Sequence, residues 1–292
     1  MPSVFSHSRL SSFEKCPKQF HFRYVLRVAA ETESVEAFLG KRVHEVLEKL
    51  YLVVREGRVP SLDQVLRRFL ANWDQAYDAA RVRIVRSEHD PASYRAVGMR
   101  SLRNFYKRYY PFDSEETLGI EERVSFALDA AGSYRMQGVI DRLVRSRDGA
   151  IEIHDYKTGQ RVPPQRALDE DRQLALYQLG LAERLEGASE VRLIWHYLAV
   201  DQMRVSRRTT PQLEALRERT MGLIDSIQGE QHFEPRPGPL CSWCEYRDRC
   251  PAFASESRGH PSAPAPQPAA AHALVPIAPP ARAPAQLSLF GP

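Results

Sequence analysis

Residues 138–159, GVIDRLVRSRDGAIEIHDYKTG, constrain the fold more than any other stretch of the chain. Two apolar, β-branched runs at 139–144 and 150–156 flank Arg147-Asp148-Gly149, which has the composition of a β-hairpin turn. Because side chains alternate along a strand, Asp155 and Lys157 project from one face together with Ile151 and Ile153, while Asp141 comes from the partner strand. Two carboxylates and an ammonium at one end of a hairpin suit a hard divalent cation beside a phosphate. The oxygens are typical Mg²⁺ ligands, and the lysine can orient a water or steady developing charge. Asp-x-Lys alone is equally what a solvated strand end presents, so its neighbours carry the argument.

Upstream, residues 34–57 place Val35, Leu39, Val43, Val46, Leu47, Leu50 and Val54 at helical spacing and end at a glycine. His44 borders that stripe, where a histidine is more often a core-edge residue than a ligand. Downstream, QLALYQLG at 173–180 sets Gln173 and Tyr177 one turn apart on a second helix. With these motifs in order, the chain resembles the RecB-like exonucleases of the PD-(D/E)XK nuclease superfamily, over roughly residues 5–255. The resemblance implies that His44, Asp141, Asp155 and the Tyr156 carbonyl ligate Mg²⁺ or Mn²⁺. It also implies that Lys157 activates the water and that Gln173 and Tyr177 orient the DNA strand or the lysine.

The remaining elements fit an α/β fold. Residues 61–80 and 92–110 read as amphipathic helices inserted before the sheet, and 119–128, 134–145 and 150–156 as three strands. A helix at 168–185 stopped by Gly187 follows, then a strand at 191–200 with a continuation at 203–208. Thr210-Pro211 opens a last helix as cap and first-turn proline, running to about residue 228. Counting from the residue-34 helix, the order is αβββαβ, a mixed central sheet flanked by helices as in the restriction-endonuclease-like core of the resembled superfamily. The helix at 92–110 carries Arg100, Arg103 and Lys107 beside Phe105, Tyr106, Tyr109 and Tyr110. Such a stripe can track a single strand, but a solvated face over core aromatics accounts for it slightly better.

All four cysteines fall in two places: Cys16, and CSWCEYRDRCP at 241–251 with C-x₂-C-x₅-C spacing. Alone, Cys16 reads as a small buried hydrophobe. Together, Cys16, Cys241, Cys244 and Cys250 can hold a structural Zn²⁺ or an iron–sulfur cluster, and spacing does not separate the two. Here the chain resembles the iron–sulfur subgroup, which includes AddB-type nuclease domains and CRISPR-associated RecB-like exonucleases. That resemblance implies a four-iron cluster stapling the N- and C-terminal segments.

A net charge of +4 and a pI near 8.9 fit a polyanionic partner without demanding one. No apolar run reaches the length of a membrane span and no signal-peptide pattern opens the chain, so a cytoplasmic protein is expected. No G-x-x-x-x-G-K-[ST] loop is present, which leaves duplex opening to a separate helicase partner or restricts the substrate to exposed strands.

The expected organisation is one nuclease domain over 1–255, a Pro/Ala-rich linker at 256–285 and a short motif at 286–290. Residues 261–285 hold eight Pro and ten Ala, a composition that packs no core. Gln286, Leu287, Leu289 and Phe290 beyond it resemble the bacterial sliding-clamp-binding motif. The function implied is a metal-dependent DNA exonuclease of repair or recombination tethered to the sliding clamp. The alternatives are a CRISPR-adaptation nuclease that processes spacer precursors and a non-catalytic iron–sulfur DNA-binding module.

Overall fold

The computed structural model of the chain describes residues 4–185 and 188–253. Its centre is a five-stranded mixed sheet in the order β3-β4-β5-β6-β7, built from Glu115–Ala127, Arg135–Ser146, Ile151–Lys157, Val191–Tyr197 and Gln202–Ser206. Only β5 and β6 run parallel; the other neighbours are antiparallel. β5 is buried from Ile151 to Tyr156 without alternation, as expected of a strand covered on both faces.

Two hydrophobic cores sandwich the sheet. One is built on α3 (Val35–Arg55), α4 (Leu62–Ala76) and α5 (Pro91–Tyr109), with Val43, Leu47, Phe69 and Leu102 at its centre. The other gathers α1 (His7–Lys15), α7 (Gln173–Gly180) and α8 (Thr210–Gly229) around Ile153, Leu174 and Trp195. The remaining short elements are α2 (Pro17–Phe20), α6 (Gln165–Asp169) and a parallel clip of β1 (Glu33–Ser34) on β2 (Val82–Arg83).

Local chemistry sets the boundaries. Ser34 Oγ caps α3, Ser61 and Gln64 form a reciprocal capping box on α4, and Asp90 caps α5 ahead of Pro91. The hairpin turn expected at 147–149 joins β4 to β5, and Gly149 sits at φ 85°, which a Cβ would strain. The cap of α8 is Thr209 rather than Thr210, because Thr209 forms the capping box with Gln212 and Pro211 takes the second helical position.

The single helix expected over 168–185 is instead α6, a break at 170–172, α7 and a short 3₁₀ turn at 182–185. Asp171 Oδ1 accepts the Gln173 N–H at 2.8 Å and so restarts the helix. Gly187 lies outside the described residues. Likewise, the strand expected over 191–200 ends at Tyr197. Residues 198–200 turn, Asp201 adopts φ 52°, and the chain returns antiparallel as β7.

On the α5 side of the sheet lies a buried polar chain. His154 Nε2 is 3.0 Å from Glu152 Oε2, and its Nδ1 is 2.9 Å from Nε2 of His196. Burial depresses both imidazoles well below the ordinary histidine range, so both are neutral. Fully buried Arg142 bonds to the Tyr51 hydroxyl and Glu115. Phe105 and Tyr106 of α5 are core residues, Tyr109 is half-buried and Tyr110 exposed, Arg100 donates to the Ala199 carbonyl at 3.0 Å, and Arg103 and Lys107 stand in solvent.

The last described residues return to the first. Phe233 stacks on Phe20 with centroids 6.1 Å apart, Arg23 Nε donates to Glu245 Oε1 at 2.9 Å, and the Tyr246 hydroxyl donates to the Val28 carbonyl at 2.9 Å.

Candidate active site

α3, β3, β4, β5 and the start of α7 converge where β4 and β5 carry Asp141 and Asp155. Asp141 Oδ2 accepts the backbone N–H of Tyr156 at 2.7 Å, which fixes the carboxylate across the strand pair. Its Oδ1 lies 3.5 Å from Nδ1 of His44, at the middle of α3. His44 Nε2 is 2.8 Å from the Tyr156 carbonyl oxygen and donates to it, which turns Nδ1 toward the carboxylates.

Glu121, which the sequence did not single out, completes this group: its Oε1 is 4.0 Å from His44 Nδ1. Donor atoms of His44, Glu121 and Asp141 all lie within 4.8 Å of one another. The register pairs Ile120 with Arg142 and Glu122 with Ile140, so Glu121 stands across from Asp141. A φ of 46° at Glu121 interrupts the regular strand there. Only the pairing of β3 with β4 identifies this residue; the available sequence signal was a second carboxylate in a strand destined to pair with the Asp141 strand.

Beside this group stands a second one. Lys157 Nζ is 2.7 Å from Asp155 Oδ2 and donates to Gln173 Oε1 at 3.0 Å. Gln173 Nε2 in turn donates to Asp155 Oδ1 at 2.8 Å, closing a triangle that holds the ammonium in one place. Tyr177, one turn along α7, is buried against Gly138, where a Cβ would come within 2.2 Å of the ring. α1 braces the same corner. Arg172 donates to Glu14 Oε1 at 2.8 Å and to Ser11 Oγ at 3.2 Å, and His7 lies 3.3 Å from that hydroxyl.

The electrostatics describe a site with excess negative charge. Burial opposes a proton on His44, but Asp141, Asp155 and the Tyr156 carbonyl outweigh it and lift the imidazole to about 9. Burial, with Asp141 and Glu48 adding and His44 opposing, pushes the Glu121 carboxyl up to about 7. Burial raises Asp155 against the pull of Lys157. For Lys157 burial works against the charge, yet Asp155 and Asp141 prevail and the ammonium is retained. His7 is driven the other way, to about 4, by burial and the charges of Arg172 and Lys157, against Asp171.

An imidazole held protonated between two carboxylates is a cluster short of positive charge. Its nitrogen and oxygen donors suit a hard divalent cation, which would supply the charge that the proton on His44 now supplies.

A family model of the PD-(D/E)XK nuclease superfamily matches residues 4–251. The chain belongs to this superfamily. Two solved structures share its chain to a limited degree. One, from Eubacterium rectale and named as a candidate exonuclease, is 13% identical with a TM-score of 0.48, covering 90% of each chain. The other, SSO0001, is 16% identical with a TM-score of 0.32, covering 74% of this chain and 95% of its own. No curated protein matches. Membership makes the mixed sheet and its flanking helices the superfamily core, and supports a nuclease that binds DNA and uses a divalent metal.

The structure brings together five of the residues expected at the site: His44, Asp141, Asp155, Lys157 and Gln173. The Tyr156 carbonyl is present with His44 as its partner, and Tyr177 is present as a packed ring. The four cysteines are free and half-buried. Among the described residues their sulfurs do not gather within 4.8 Å, wider than the ~3.8 Å separation implied by tetrahedral Zn–S bonds. Cys16 Sγ accepts from the Arg236 N–H at 3.5 Å, and burial, Glu245, Cys16 and Cys250 push the Cys244 thiol up to about 11. No described helix is long and apolar enough to cross a membrane.

Proposed function

We propose that the chain is a divalent-metal-dependent DNA exonuclease. The observation that carries this reading is the juxtaposition of two groups on paired strands: the His44, Glu121 and Asp141 donors, and the ammonium of Lys157 fixed by Asp155 and Gln173, with Asp155 acting on His44 and Asp141 on Asp155 through their charges. His44, Glu121, Asp141 and Asp155 would hold Mg²⁺ or Mn²⁺. When bound, the cation supplies neutralisation of the scissile phosphate and a lowered pKa for the attacking water.

This chain's own residues supply the rest. Lys157 donates a hydrogen bond to the nucleophile and, because it stays charged, opposes the negative charge that grows on the phosphate oxygens. Gln173 holds the Lys157 ammonium and the Asp155 carboxylate in a fixed relation, removing the freedom that a four-carbon side chain would otherwise have. The Tyr156 N–H aims Asp141, and the Tyr156 carbonyl fixes the tautomer of His44. Tyr177 keeps α7, and therefore Gln173, seated on β4.

Digestion of end-labelled single- and double-stranded DNA with Mg²⁺ or Mn²⁺ tests the reading. Cleavage by the wild type that disappears in EDTA, and in Lys157→Ala and Asp155→Ala chains of unchanged melting temperature, is the expected result. Undiminished cleavage in EDTA or by Asp155→Ala overturns it.

Two further parts belong to this reading. Cys16, Cys241, Cys244 and Cys250 would hold an iron–sulfur cluster joining the two ends of the domain, which already meet where Arg236 approaches Cys16 and Glu245 pairs with Arg23. Brown protein with about four irons per chain is expected after anaerobic purification; colourless protein with one zinc decides for the closed Zn²⁺ site. Gln286, Leu287, Leu289 and Phe290 lie outside the described residues, and their sequence supports tethering to the sliding clamp for repair. A peptide of residues 280–292 should bind the clamp, and Leu289→Ala with Phe290→Ala should abolish that binding.

A further inference from the structure

Beyond the acidic group, β3 and β4 continue as a two-stranded ribbon whose faces differ sharply. Val124, Leu128, Met136 and Ile140 turn into the core, Gly138 lies against Tyr177 and Gly180 against Phe126. The alternate positions, Arg123, Ser125 and Ala127 on β3 and Arg135, Gln137 and Val139 on β4, are all exposed. Pairing of Arg123 with Val139, Ser125 with Gln137 and Ala127 with Arg135 lines them up in one row, which runs up to the break in the strand at Glu121, opposite Asp141. The open face therefore begins at the metal-binding carboxylates.

The row is basic and small. Most arginines near the site are engaged: Arg142 with Glu115, Arg172 with Glu14 and Arg184 with Glu122. Arg123 and Arg135 make no side-chain hydrogen bond or ion pair among the described residues, and between them stand only short or neutral side chains. Same-face positions recur about every 6.7 Å along a strand, close to the phosphate spacing of an extended single strand. Arg123 lies two residues from Glu121, and Arg135 six residues, about 20 Å of extended strand, from Asp141.

We propose that the exposed face of the β3–β4 ribbon is the track for a single polynucleotide strand passing through the active site. The strand lies along the ribbon with one backbone phosphate at Arg123, one at Ser125 and Gln137, and one at Arg135. The proposal rests on the nuclease reading of the adjoining carboxylates, and it adds where the uncut strand runs. Guanidinium contacts to phosphate carry no base information, so the track accepts any sequence.

The test is salt-dependent binding of 5′-labelled dT12 by fluorescence anisotropy, in EDTA so that no cleavage intervenes. Each phosphate contact contributes about 0.7 to the slope of log K against log salt for a single strand. Arg123→Ala and Arg135→Ala are each expected to flatten that slope by about 0.7, and the double variant by about 1.4. Arg67→Ala, an exposed arginine of α4 remote from the row in sequence and fold, should leave it unchanged. Wild-type slopes in Arg123→Ala and Arg135→Ala, an equal loss in Arg67→Ala, or no binding by the wild type overturns the track. Cleavage of the same oligonucleotide with Mg²⁺ is scored separately. Cleavage with unaltered slopes removes the track and leaves the nuclease, whereas flattened slopes without cleavage remove the nuclease and leave a strand-binding face.

Discussion

Gln173 is the shared partner of two charged residues that already touch: its amide oxygen accepts from Lys157 and its amide nitrogen donates to Asp155. One neutral side chain thereby fixes both the cation and the anion of the Asp-x-Lys motif. Truncation of Gln173 to alanine leaves the 2.7 Å ion pair but frees its rotation. Single-turnover cleavage by Gln173→Ala should fall by about 10²-fold, with the affinity for DNA nearly unchanged, since positioning is lost and not charge. An equal fall in affinity would instead make Gln173 a strand-binding residue.

Gly138 should tolerate no side chain. A Cβ there meets Tyr177 ring carbons at 2.2 Å, and Tyr177 belongs to a helix packed on both sides. Gly138→Ala is expected to cost about 1–3 kcal/mol in urea denaturation, and pairing it with Tyr177→Leu should recover part of that loss. Cleavage should fall in Gly138→Ala more than its stability does, because displacing α7 displaces Gln173.

Metal binding should be visible without catalysis. Mg²⁺ binds only the folded carboxylate group, so at a concentration of 100 Kd it should stabilise the chain by about 2.7 kcal/mol, read as a rise in Tm. Asp141→Asn and Glu121→Gln should both diminish that rise. A full rise in Glu121→Gln would exclude this residue from the cation's ligands.

The buried neutral histidines should each cost the protein stability as pH falls. His7, His154 and His196 are held neutral in the fold, His7 with a pKa near 4 against 6.5 in an unfolded chain. A depressed folded pKa means that the unfolded chain binds protons first as pH falls. Stability from these three groups is therefore fully present above pH ~6.5 and declines below it, for His7 down to about pH 4. Glu121, whose carboxyl is raised to about 7, acts in the opposite sense over the same range, so the histidine part is read as a difference: from pH 7 to 4, thermal melts of His7→Asn should lose less stability than those of the wild type.

Much of the site was legible because it is local. Asp155 and Lys157 share a face by the alternation of one strand, and Gln173 and Tyr177 share one helical turn, while the resemblance supplied their place in the site together with that of the Tyr156 carbonyl. Glu121 was not, since its membership depends on the register of β3 against β4 and on a positive φ, neither of which has a sequence period. The fold order emerged from apolar periodicity, while the break between α6 and α7 was hidden because Leu168 and Leu174 are both core residues on either side of it. Thr209 was passed over as a cap because Thr210 beside it has the same side chain, and only the Gln212 bond distinguishes them.

The pairing of Phe233 with Phe13, Phe20 and His21 has a consequence for how the protein comes into being on the ribosome. α1 and α2 precede the rest of the domain but lack the Phe233 ring of their apolar cover until residue 233 has emerged, and α1 is what braces Arg172 at the threshold of Gln173. Synthesis therefore completes the support of the candidate site only when nearly the whole domain is outside the exit tunnel. A stalled chain ending near residue 225 should expose α1 to protease and cut no DNA, so a half-made nuclease is a silent one.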